Sequence, residues 1–109
     1  SEIDDELTTN KVNYEDLIKL QKKENITPKI CQILFLSQIP GMSQHIARQV
    51  LLQFSCIKSM IVQLSTDQDP IQTLTNIELD ISNGKKRKLG KVLAKRIYTC
   101  LFMDTENFL

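Results

Sequence analysis

Apolar residues recur at helical spacing along most of the chain, in segments that short polar turns separate. This period is typical of amphipathic helices with one face in a core. Thr27-Pro28 and Asp69-Pro70 each place a capping residue before proline, which suits the first helical position. The pattern predicts an all-α fold with helices at about 14–24, 28–38, 45–54, 57–64, 70–77 and 89–101. Ser55 is a predicted cap, and residues 79–88 are predicted to form a loop.

The turn at 39–44, Ile-Pro-Gly-Met-Ser-Gln, joins the second and third predicted helices. Gly41 can adopt the positive φ that ends a helix, and Ser43 can cap the next one. A cap satisfies only part of a helix N-terminus, so further amides stay available for a phosphate in the positive field of the helix dipole. We therefore predict that Gly41, Met42, Ser43 and Gln44 present amides to a phosphate. The same turn also joins helices that bind nothing, and both interpretations stay open at this point.

The third predicted helix carries its apolar face on Ile46, Ala47 and later residues, which leaves Gln44, His45, Arg48 and Gln49 toward solvent or a ligand. Small Ala47 would let two helices approach closely. Arg48 is a candidate for a backbone contact with a nucleic acid, and His45 is predicted to be a surface residue.

The predicted elements suggest an internal repeat of two helical hairpins. We expect a flexible acidic leader at 1–11 and one domain at 12–109. Within the domain, the hairpins lie at about 28–54 and 69–103, with a linker helix at about 55–65. The second hairpin lacks the Pro-Gly pair, but Leu89-Gly90 places an apolar residue and a glycine before its second helix.

The net charge of +1 conceals a strong polarity along the chain. Residues 1–24 hold seven of the thirteen acids, whereas residues 85–96 hold seven of the fourteen bases and no acid. Such a basic face favours a polyanion partner, and helical spacing would place Lys88, Lys91 and Lys95 together. The predicted phosphate-binding residues are Lys85, Lys86, Arg87, Lys88, Gly90, Lys91 and Lys95. A solvated charge run or a nuclear localisation signal is the alternative interpretation of this segment.

Several classes of protein are disfavoured by the sequence. One histidine and no CxxC pair argue against structural zinc, and no nucleophile–base pattern is visible. The three cysteines are widely separated and are expected to be reduced thiols. No apolar run approaches the length of a membrane span. The chain begins at Ser1 without a methionine, so we expect a fragment of a longer intracellular protein.

Two segments carry a resemblance to a known family. Residues 14–17, Tyr-Glu-Asp-Leu, and 22–27 precede the turn at 38–43 and Ala47, while 83–90 reads Asn-Gly-Lys-Lys-Arg-Lys-Leu-Gly. Together they resemble the tandem helix-hairpin-helix domain that ends XPF-type structure-specific endonucleases, over most of the chain. The likeness is greatest to the catalytic subunit of the crossover junction branch. The non-catalytic paralogue has a similar layout, including an Arg-Ile-Tyr ending like that at 96–98, and is the second choice.

The resemblance implies a nuclear domain that binds flaps, forks and nicked junctions in DNA recombination and repair. It also implies a paralogous subunit that docks through its own tandem hairpins, for which Leu101, Phe102 and Met103 are the candidate dimerisation residues. The family's catalytic motif binds magnesium, but nothing in this chain matches it, and the acidic run at 4–6 is not that motif. Magnesium and cutting are thus expectations for a longer parent protein, and no cofactor, membrane or small-molecule substrate is expected for the fragment itself.

The alternative is a helical protein-interaction module without a direct role on DNA. Apolar residues concentrate near the end of the chain at 101–103, 108 and 109, and one small domain is not expected to bury them all. In that case the basic segment would serve an acidic partner or nuclear import.

Overall fold

A computed structural model describes residues 26–105. Its elements, in chain order, are α1 (Pro28–Ser37), α2 (Gln44–Phe54), α3 (Ile57–Thr66), α4 (Pro70–Thr75), β1 (Glu78–Ser82), β2 (Lys85–Lys88) and α5 (Lys91–Phe102). The described part of the chain is therefore mostly helical. The leader at 1–11, the helix predicted at 14–24 and the apolar residues at 108 and 109 lie outside it.

Contacts divide the chain into two compact units, 1–31 and 32–109. Of the first unit, the structure describes residues 26–31, where α1 begins at Pro28 as predicted. The Ile30 amide donates to Thr27 Oγ1 at 3.2 Å, so Thr27 caps the helix. Everything below concerns the second unit.

The ends of the helices follow local capping chemistry. Ser43 Oγ accepts from the Ile46 amide at 3.1 Å at the start of α2, and Asp69 Oδ1 accepts from the Gln72 amide at 3.2 Å at the start of α4. The prediction for Ser55 is wrong, because Ser55 has a φ of 76° and ends α2. Cys56 caps α3 instead, with its Sγ 3.4 Å from the Ser59 amide nitrogen.

The predicted all-α fold needs one correction, because a two-stranded antiparallel sheet replaces the loop expected at 79–88. Asn83 and Gly84 both have positive φ, 50° and 75°, between the two strands. Positive φ at both central residues matches the type I′ turn, whose twist suits adjacent antiparallel strands. The hairpin pairs Glu78 with Lys88, Leu79 with Arg87, Asp80 with Lys86 and Ser82 with Lys85, and it bulges between 80 and 82.

The core is one cluster of buried apolar side chains drawn from every helix and from β1. Leu79 is the buried residue of the hairpin and fastens it to this core, while the β2 side chains are all exposed. Below the strands, the Leu89 amide donates to the Ile77 carbonyl at 2.7 Å. The hairpin therefore returns the chain to the end of α4, where α5 begins and packs against it.

Candidate nucleic-acid interface

The turn before α2, which we name the first tip (residues 39–45), is held by backbone and side-chain hydrogen bonds. Gly41 has a φ of 87°, and the Met42 amide donates to the Ile39 carbonyl at 3.0 Å. Ser43 is extended, with φ −77° and ψ 165°, and its side chain caps α2. The tip thus starts α2 with a serine cap, as predicted. Gly41 does not end α1, which stops at Ser37, but lies in the turn from Ile39 to Met42.

Several amides of the first tip remain available to an anion. Within residues 26–105, no acceptor is found for the backbone amides of Gly41, Ser43, Gln44 and His45. Met42 differs from the prediction, because its amide is already bonded and its side chain is only 5% exposed. Met42 is therefore an anchor of the tip in the core and does not present an amide.

The start of α5, which we name the second tip (residues 89–93), also contains a glycine with positive φ, like the first tip. Gly90 has φ 91° and ψ 161°, and no side chain caps the helix. The Gly90 amide donates to the Thr75 carbonyl at 3.2 Å, so this glycine contributes its conformation and not its amide. In the described range, the first-turn amides without an acceptor are those of Lys91, Val92 and Leu93.

The two tips share a pattern of burial at equal spacing. In each, a buried apolar residue precedes the cap, a fully buried alanine follows four residues after the cap, and a fully buried branched residue follows three later. The members are Met42, Ser43, Ala47 and Val50 in the first tip, and Leu89, Gly90, Ala94 and Ile97 in the second. An alanine at that position leaves room for another element to approach the helix closely.

The basic segment lies on a strand and not in the predicted loop, since Lys85–Lys88 forms β2. The helical spacing predicted that Lys88 shares a face with Lys91 and Lys95. This prediction is wrong, because Lys88 lies on β2. Lys91 and Lys95 stand four residues apart on α5 and are exposed, as neighbours on one helical face.

Cross-strand neighbours divide the basic residues into two kinds. Directly paired residues lie on the same face of an antiparallel sheet, so Lys86 faces Asp80 and Lys88 faces Glu78. Lys86 and both carboxylates also line a surface cavity of about 610 Å³, and Lys88 Nζ donates to Asn76 Oδ1 at 3.2 Å. Their charge is therefore partly compensated.

Five basic side chains among residues 85–96 have no such acidic neighbour across the sheet or along the helix: Lys85, Arg87, Lys91, Lys95 and Arg96. Lys85 pairs with Ser82 and Arg87 with Leu79, while α5 contains no acid. Together with Lys91, Lys95 and Arg96, these residues carry the uncompensated positive charge next to the second tip.

His45 and Gln49, expected toward solvent or a ligand, bind the backbone of β1, and His45 is exposed as predicted. Gln49 Oε1 accepts from the Asp80 amide at 2.6 Å, and Gln49 Nε2 donates to the Asp80 carbonyl at 3.0 Å. The same Nε2 lies 2.8 Å from His45 Nε2. His45 Nε2 also lies 3.0 Å from the Asp80 carbonyl oxygen, and a proton on this nitrogen would donate to that oxygen. Arg48, between them in the sequence, is exposed on α2.

A residue that sequence reasoning did not assign to the site, Arg96, reaches the first tip from α5. Its Nη1 donates to the Pro40 carbonyl at 3.1 Å. A Cβ atom on Gly41 would lie 2.7 Å from the same Nη1 and 2.9 Å from Leu93 Cδ2. The first tip therefore packs directly on α5. In the sequence, the only indication that Arg96 belongs to the site was its place in the basic run at 85–96.

The candidate dimerisation residues differ in exposure. Leu101 and Phe102 pack against the core, and the Phe102 ring stacks on Tyr98 with centroids 4.8 Å apart. Met103 is 44% exposed. Leu101 also lines an apolar groove of about 230 Å³ with Phe35, Leu36, Gln38, Ile39, Ile57 and Cys100.

Comparisons with protein-family models, curated proteins and solved structures found no match. Over the range 26–105, no group of three or more His, Cys, Asp or Glu side chains is placed to hold a metal ion. In the same range, every helix is too short or too polar to cross a bilayer.

Proposed function

We propose that this chain is a tandem helix-hairpin-helix domain that binds the phosphate backbone of DNA. The observation that carries the proposal is the repeated tip, in which two helices begin with the same burial pattern and with several unbonded amides. Unbonded amides in the positive field of a helix N-terminus favour an anion. The uncompensated bases next to the second tip favour a partner with many negative charges.

Backbone amides and bases on phosphates position a protein on DNA but read no sequence. Two phosphate sites on one rigid domain fit only DNA with a matching path, so DNA that bends freely at a flap or nick should bind better. The resemblance to XPF-type endonucleases supports the same choice of substrate. On that basis we infer a nuclear role in repair, a paralogous partner subunit, and a longer parent enzyme that uses magnesium.

The test is fluorescence-anisotropy titration of the chain with a flapped duplex and a continuous duplex at two salt concentrations. We expect tighter, salt-sensitive binding to the flap. A variant with Lys91→Gln and Lys95→Gln should bind on the order of tenfold more weakly and lose about two units of salt slope.

The matched control removes the same charge from β2, with Lys86→Gln and Lys88→Gln. Because these lysines face Asp80 and Glu78, their loss should reduce affinity less. Equal affinity for the flapped and the continuous duplex would refute the proposed preference for DNA that bends freely. Equal losses of affinity in the two variants would refute the assignment of phosphate contacts to Lys91 and Lys95.

The apolar groove beside Leu101 favours a second candidate function, a protein-interaction module. Phe35, which lines this groove, is 62% exposed, so the groove presents apolar surface. We expect Phe35→Asp to weaken association with a partner subunit and to spare DNA binding by the isolated chain. Sedimentation of the chain with and without the candidate subunit would measure this.

A further inference from the structure

Within residues 26–105, Arg96 is the one cationic side chain that the structure records in contact with the first tip. It stands on α5, 56 residues from Pro40, whose carbonyl accepts its hydrogen bond. The tip itself, residues 39–45, contains no lysine or arginine. Any lysine or arginine beside these amides must therefore lie outside residues 39–45.

We propose that Arg96 is a phosphate-binding residue of the first tip, supplied from the helix of the second tip. This inference depends on the proposed DNA-binding function. A guanidinium has five N–H donors, and the bond to Pro40 uses only Nη1. Within residues 26–105, no acceptor is recorded for the remaining donors, and the side chain is exposed, so these donors can bind a phosphate oxygen.

The bond to Pro40 also orients the guanidinium and offsets a negative dipole next to the site. The Pro40 carbonyl oxygen is part of the first tip, and its partial negative charge would repel an anion. With Arg96 bound to it, that oxygen is paired with a positive charge. The Gly41 backbone then lies against the guanidinium, so close that a Cβ atom at Gly41 would stand 2.7 Å from Nη1.

The distance to the unbonded amides is compatible with one phosphate or two adjacent ones. The Gly41 backbone lies against the guanidinium, and Ser43 follows two residues later. Because successive Cα atoms are about 3.8 Å apart, Ser43 lies within about 12 Å of the guanidinium. Phosphates along one DNA strand are close enough for such a pair of contacts. Arg96 would therefore bind the same phosphate as these amides or the adjacent one.

The test measures the salt dependence of binding to the flapped duplex for three variants. Arg96→Met keeps the aliphatic stem but removes the charge and all donors, and Arg96→Gln provides a second uncharged variant with a polar end. Arg96→Lys keeps the charge without the planar fork. Lys58→Met, on an exposed residue of α3 outside both tips, is the matched control, and circular dichroism checks that each variant is folded.

Both uncharged variants should bind about tenfold more weakly, with a salt slope smaller by about one unit. Arg96→Lys should keep the wild-type slope, and Lys58→Met should change affinity less than about twofold. A contact that only holds the tip in place would lower affinity without changing the slope.

Two results would overturn the proposal in distinguishable ways. If wild-type binding is salt-sensitive but the slope is unchanged in every folded uncharged variant, Arg96 is a structural tie and DNA binding by the domain stands. If the wild-type chain binds neither duplex, the proposed function fails and the role of Arg96 fails with it.

Discussion

Gly41→Ala tests the packing of the first tip on α5. The φ of Gly41 is 87°, a region that costs an L-residue about 1–2 kcal/mol. The new Cβ would lie 2.7 Å from Arg96 Nη1 and 2.9 Å from Leu93 Cδ2, so both side chains must move. Moving Arg96 breaks its hydrogen bond to Pro40, which lowers the free energy of unfolding by about 1 kcal/mol. Displacing Leu93 lowers it by about 1 kcal/mol or more through overpacking. We expect a total loss of roughly 3–4 kcal/mol in the free energy of unfolding.

Gly84→Ala is the matched control for backbone strain. Gly84 also has positive φ, 75°, but no atom lies within 4 Å of its added Cβ. Only the conformational cost of about 1–2 kcal/mol should remain. Urea unfolding followed by far-UV circular dichroism gives both values, and with a slope of about 1 kcal/mol per molar urea the midpoints should differ by about 2 M.

Equal losses in the two variants would contradict the reasoning. They would mean that the Gly41 environment adds nothing to backbone strain, and hence that the first tip does not pack on Arg96 and Leu93. The geometric basis for a phosphate contact by Arg96 would then be lost as well.

Two further predictions concern stability. Gln49→Ala should cost roughly 1 kcal/mol, because the Asp80 amide loses the Gln49 acceptor and the Asp80 carbonyl loses the Gln49 donor. Gln53→Ala, on an exposed position of the same helix, should cost little. Faster hydrogen exchange at the Asp80 amide would locate the effect, and unchanged exchange would refute it. Hydrogen bonds from Thr73 and then the Asp69 amide lower the pKa of Asp67 below 3.8. Its contribution is therefore present above that pH and is lost as the pH falls through the lower folded-state pKa. Asp67→Asn should reduce the melting temperature at pH 7, with the gap closing as the pH falls through the lowered pKa of Asp67, and a constant gap would contradict this.

The β-hairpin shows how a local signal can be present and yet be missed. Asn83-Gly84 between two short segments is a strong indication of a type I′ turn. The four basic residues after it have little β-propensity, and their charge favoured an exposed loop. The structure pairs them with β1, whose Leu79 is buried in the core, so tertiary packing outweighs propensity at this strand.

The strand pairing also changes which bases are the better phosphate candidates. In the sequence, the residues 85–88 are an unbroken run of positive charge. Pairing places Lys86 and Lys88 opposite acids that precede them by six and ten residues. Charge compensation of this kind depends on strand register, which is not a property of the run itself.

The sequence by itself determined the local features of this protein: the helix starts at Pro28 and Pro70, the Ser43 cap, and the glycine of the first tip. Each depends on chemistry within three or four residues. Only the tertiary structure decided that Gln49 binds the Asp80 backbone and that Arg96 reaches Pro40, across 31 and 56 residues. Those contacts follow from the way helix faces and a strand edge meet around the shared core, which no local pattern specifies.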